Sequence, residues 1–104
     1  MKRWTAITYR EFYDIPRIFF VRDNHKLLLF DCPFDSVEGE YGKMYKVYLM
    51  PPLMDNDLKG SWENIAAKAE RYLGDVSASD VEFDSTRRRE INAAILDRFK
   101  LGPY

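Results

Sequence analysis

The sequence predicts an α+β domain on a mainly antiparallel sheet of about five strands, in the order β-β-β-β-α-β-α. Three observations carry this. First, eleven of the sixteen aromatic residues lie between Trp4 and Tyr48, and aromatic side chains suit a pleated surface. Second, the segment IFFVRDNHKLLLFDCPF, from Ile18 to Phe34, reads as a hairpin that is apolar on both faces. Third, both stretches with helical spacing come late in the chain, so strands precede helices.

The first strand is expected from Trp4 to Tyr13, a run rich in Thr, Ile, Tyr and Phe. Pro16 should interrupt it, because proline lacks the N–H that a central ladder needs. The hairpin then alternates. Phe19 and Val21 point one way, Ile18 and Phe20 the other. On the return strand Leu28 and Phe30 share one face, Leu27 and Leu29 the opposite one. Asn24-His25 is the expected two-residue turn, since asparagine tolerates φ > 0. That turn pairs Asp23 with Lys26, Val21 with Leu28, Phe20 with Leu29 and Phe19 with Phe30. A shifted turn would set Val21 against Lys26, a poorer match.

Pro33 ends this strand. The segment from Asp35 to Lys43, DSVEGEYGK, reads as a loop. The fourth strand is Met44 to Met50, closed by Pro51-Pro52. Ser61 to Leu73 reads as a helix capped by Ser61 and ended by Gly74, with Trp62, Ile65, Ala66, Ala69, Tyr72 and Leu73 on its buried face. Val81 to Phe83 is a short fifth strand. A second helix is expected from Thr86 to Lys100, capped by Asp84 or Ser85, with Ile91, Ala94, Ile95 and Phe99 as its stripe and Gly102-Pro103 as its stop.

Two helical stripes can cover one face of a five-stranded sheet. The other face needs a lid, and three are open: closure of the sheet into a small SH3-like barrel, the second helix wrapping behind, or a second subunit.

The 104 residues make one domain, residues 1–104, and 46% hydrophobic with 32% charged residues is a globular composition. A net charge of −1 supplies no field for duplex nucleic acid. No run is long enough to span a bilayer, and MKRWTAITYREF lacks the apolar region of a secretory signal. One cysteine allows no internal disulfide. The expected location is the cytoplasm, with no membrane and no cofactor.

Arg87, Arg88 and Arg89 are the sharpest oddity. They place three cations in the first turn of the second predicted helix, where the macrodipole disfavours them. With Ser85 and Thr86 they could bind a phosphate or a partner's carboxylates. The plainer account pairs them with Asp80, Glu82, Asp84 and Glu90. Cys32 lies between Asp31 and Asp35 on the face of Phe30 and Leu28, so it reads as a core residue and not a nucleophile. The single histidine, His25, cannot build a usual zinc set. Asp31, Asp35, Glu38 and Glu40 read as a solvated acidic patch. Tyr41, Tyr45 and Tyr48, with Tyr9 and Tyr13, are candidates for an aromatic interface.

No catalytic motif is present. The expected function is therefore a non-enzymatic module that binds protein, as an immunity- or antitoxin-like partner or an accessory subunit, or binds itself as a homodimer. The alternative is an anion- or phosphate-binding domain or small enzyme using Arg87, Arg88 and Arg89. Single-stranded nucleic acid on an aromatic barrel face is a third, weaker reading.

Overall fold

A computed structural model describes residues 3–13, 15–23, 26–51, 59–60, 62, 64–84 and 89–99. Within them run β1 (Trp4–Tyr13), β2 (Ile15–Asp23), β3 (Lys26–Asp31), β4 (Phe34–Asp35), β5 (Glu40–Tyr41), β6 (Met44–Met50), β7 (Arg71–Ser77) and β8 (Glu90–Asn92). Six of these form one sheet in the order β7-β6-β3-β2-β1-β8, while β4 and β5 pair only with each other. Every pairing is antiparallel.

The central hairpin has the register its hydrophobic pattern requires. Asp23 pairs with Lys26, Val21 with Leu28, Phe20 with Leu29 and Phe19 with Phe30. Asn24 and His25 lie outside the described residues. Because side chains alternate at period 2, this register sorts the hairpin into two cores. Phe19, Val21, Leu28, Phe30 and Cys32 join Ile7, Tyr45, Val47, Val76, Val81, Ile91, Ile95 and Leu96 on one face. Phe20, Leu27 and Leu29 join Met50, Trp62 and Ile65 on the other, with Ile18 packed alongside.

The first face is the inside of a curl. Five steps separate β7 from β8 in the sheet, about 24 Å at the usual strand spacing. Yet Ser77 ends β7, and five residues later the Glu82 carbonyl accepts a hydrogen bond from the Asn92 amide of β8. Five residues reach at most about 18 Å. The sheet must therefore bend until its edges approach, and the connecting segment, with Val81 and Phe83, fills the hollow. The Phe83 ring sits edge-on to Phe19 at 5.9 Å, and Phe99 edge-on to Phe30 at 6.1 Å. The edges do not pair with each other, so closure into a barrel, one of the three possible lids, is not formed.

Several expectations are corrected. The described part of Ser61–Leu73 is not one helix. It holds a 3-10 turn at Ile65–Lys68, and Ala69 is already extended at φ −63° and ψ 144°. The Glu70 amide then bonds the Leu49 carbonyl, and the chain continues as β7 along β6. The ladder with β6 satisfies a row of backbone groups, and that tertiary gain outweighs the helical propensity of this Ala-rich segment. The predicted apolar face survives in part: Trp62 and Ile65 are buried and Ala66 and Ala69 pack beside them. Tyr72 stays on that side but is exposed, against Tyr48, and Leu73 packs on the other core.

The described part of the second predicted helix, residues 89–99, is likewise replaced. Glu90–Asn92 is a strand and Ala93–Phe99 a 3-10 turn, with Leu96 buried where Ala94 was expected. Val81–Phe83 is reduced to an isolated bridge between Phe83 and Ile91. The Asp35–Lys43 loop holds the second strand of a small hairpin, Phe34 opposite Tyr41 and Asp35 opposite Glu40. Pro16 does not interrupt; it is the second residue of β2, facing Phe12. The ladder with β3 starts only at Ile18, so Pro16 has no β3 partner to disappoint. The lid over Phe20, Leu27 and Leu29 comes from the same chain, as Trp62 and Ile65. Phe20 is 2% exposed and Leu29 0%, so the fold needs no second subunit to cover this face.

Candidate functional site

The most distinctive surface is built around the β4–β5 hairpin and the start of β6. Gly39, at φ 74°, takes the left-handed conformation that a tight turn needs. At the open end of the hairpin the Gly42 amide bonds the Pro33 carbonyl at 3.3 Å. The Phe34 and Tyr41 rings meet edge-on at 5.2 Å across the pair.

This hairpin is tied to the core through Arg17 and Cys32. The Arg17 guanidinium lies 4.9 Å from the centre of the Tyr41 ring and 3.6 Å from Cys32 Sγ. The Cys32 thiol donates to the Gly42 carbonyl at 3.1 Å. Beneath them Tyr45 is fully buried, and its hydroxyl donates to the Pro16 carbonyl. Burial pushes the Tyr45 phenol up from its ordinary value near 10, and the neighbouring Cys32 adds to the rise while the Arg17 charge opposes it.

Two grooves flank Gly42 and Lys43. One, of about 470 Å³, is lined by Pro33, Phe34, Ser36, Gly42, Lys43, Met44, Lys46 and Asp75. The other, of about 480 Å³, is lined by Ile15, Arg17, Tyr41, Gly42, Lys43, Ser77, Ala78 and Ser79. Apolar side chains stand open to solvent around the first: Phe34 is 53% exposed, Met44 45%, and Val37 in the hairpin turn 91%. Lys43, Lys46 and Asp75 line this groove together, so charges of both signs face it.

The residues singled out in the sequence are scattered. Tyr41 belongs to this surface. Tyr45 does not: it is at 0% exposure in the inner core, which corrects its place in an aromatic interface. Tyr48 packs on the opposite face against the Trp62 cluster, with its ring 5.5 Å from Tyr72. Residues 45 and 48 differ by an odd number, so one strand must send them to opposite faces. Tyr9 packs against the inner core.

Thr86, Arg87 and Arg88 lie outside the described residues. Arg89 is exposed, and its amide donates to Asp84 Oδ1 at 2.9 Å, as does that of Glu90 at 3.0 Å. The residues that follow Arg89 are β8 and not a helix. Cys32 is buried at 1%, as its alternation predicts. Glu38 and Glu40 are exposed. Among the described residues no group of three or more His, Cys, Asp or Glu is placed to hold a metal ion. None of the helices there is long and apolar enough to cross a membrane.

Arg17, Phe34, Val37, Met44, Lys43, Ser77 and Ser79 were not signalled by any motif. They converge only because β2, β6, β7 and the small hairpin meet at one end of the sheet. No family model, curated protein or solved structure matches the chain.

Proposed function

We propose that this chain is a non-enzymatic module that binds another protein through the β4–β5 hairpin and the adjoining groove. The observation that carries the reading is the exposure of Phe34 and Met44, which line an open groove, and of Val37 in the adjoining hairpin turn. Large apolar side chains exposed together, rimmed by polar groups, mark interaction surfaces on small domains. Burying them on a partner would remove apolar area from water at about 25 cal/mol per Å². The mixed charges of Lys43, Lys46 and Asp75 would set a partner's orientation more than its affinity. Such work suits an immunity- or antitoxin-like partner or an accessory subunit.

Photo-crosslinking tests this directly. A benzophenone amino acid at position 34 or 44, in the native host, should give one dominant adduct, which Val37→Glu should abolish. The same probe at Lys68, exposed on the 3-10 turn, is the control. Adducts to a second copy of the chain would identify a homodimer, and adducts to another protein a heteromeric partner. Equal labelling from position 68 would overturn the proposal.

A further inference from the structure

We propose that the groove between β5, β6 and the Ser77–Ser79 segment is a binding site for a phosphate group. The inference rests on the second groove, which shares only Gly42 and Lys43 with the groove of the proposed protein-binding surface. Among the described residues its lining has two cations, Arg17 and Lys43, two hydroxyls, Ser77 and Ser79, and the Tyr41 ring, and no Asp or Glu.

The site is held in shape from below. Arg17 is sandwiched between the Tyr41 ring and the buried Cys32 sulfur, and Cys32 is itself anchored to the Gly42 carbonyl. The two walls are joined where the Ala78 amide bonds the Lys43 carbonyl at 2.9 Å, next to the Met44–Ser77 pair that begins the β6–β7 ladder. Little side-chain freedom therefore remains to be lost at Arg17 when a ligand arrives.

The chemistry fits phosphate better than a carboxylate. The two serine hydroxyls lie 2.8 Å apart and share one hydrogen bond. Each hydroxyl carries one proton, so one O–H is left to donate to a ligand. A guanidinium fork, an ammonium and a hydroxyl offer donors in three directions. A phosphate monoester supplies three acceptor oxygens and a charge of about −1.5 to −2. A carboxylate has two oxygens to share among these donors, one fewer than a phosphate monoester.

The test is a titration of the isotopically labelled chain, followed by amide chemical shifts, with inorganic phosphate and a chloride control at equal ionic strength. Saturable shifts are expected at Arg17, Gly42, Lys43 and Ser77 to Ser79. Lys43→Gln and Ser79→Ala, both at exposed positions, should weaken binding about tenfold and severalfold with unchanged melting. Phenyl phosphate and a phosphoserine peptide are the further arms, and the tighter binder tells a free monoester from a phosphorylated side chain. Absence of saturable shifts up to roughly 50 mM phosphate, a range covering even weak sites, would overturn the proposal. So would shifts that neither variant reduces.

Discussion

Trp62→Ala is the sharpest test of how this sheet is covered. Trp62 is 8% exposed, its ring is edge-on to Phe20 at 4.8 Å, and the Arg10 guanidinium lies 4.9 Å from its centre. A tryptophan of roughly 200 Å² that is nine-tenths buried is worth about 4–5 kcal/mol at 25 cal/mol per Å². A compact denatured state lowers that by about a quarter. The lost ring pair and cation–π contact restore about 1 kcal/mol. The expected destabilisation is thus about 4 kcal/mol, within the range for such truncations. For a chain of this size that lowers Tm by roughly 15–30 °C. Urea unfolding followed by far-UV circular dichroism measures it. Trp4→Ala is the internal control: at 41% exposure it should cost far less. A loss below about 1 kcal/mol at Trp62, in the range of ordinary surface changes, would refute the reasoning. It would mean that something other than Trp62 shields Phe20, Leu27 and Leu29.

Three further outcomes are expected. Tyr45→Phe removes the hydroxyl that donates to the buried Pro16 carbonyl and should cost about 1–3 kcal/mol in chemical denaturation. Because the folded-state pKa of Tyr45 lies above its ordinary value near 10, its stabilising share is intact below pH 10 and shrinks as pH rises beyond it; Tyr45→Phe should flatten that alkaline loss. Asp84→Ala removes the acceptor for two amides ahead of β8 and should lower stability by about 1–2 kcal/mol, whereas unchanged melting would show that β8 holds without it. Cys32, buried at 1%, should react with a disulfide reagent only as the chain opens, so labelling in the native state should run at least about a hundredfold slower than in urea.

Period-2 alternation made the hairpin and its register legible. With Asp23 opposite Lys26 every apolar residue from Ile18 to Phe30 finds an apolar face, and a one-residue slip would invert them all. The same alternation placed Cys32 in the core and should have separated Tyr45 from Tyr48. β7 was not legible in this way. Arg71–Ser77 carries few strand formers, and its Gly74 at φ 140° sits beside a register shift against Val47 and Tyr48. Locally it resembles the end of a helix, and only the unpaired edge of β6 makes it a strand.

The sequence by itself determined that a central antiparallel hairpin would be apolar on both faces, and that Trp62 and Ile65 would belong to one apolar face. These follow from the spacing of side chains along one stretch of chain, which the backbone converts directly into direction. Which segments cover those faces, how far the sheet curls, and which side chains meet at its end were decided only by the tertiary structure. Arg17, Lys43, Ser77 and Ser79 are far apart in the chain, and no local pattern links them. They share a groove because β2, β6 and β7 end there, and strand ends are brought together by pairing, which no single stretch of sequence encodes.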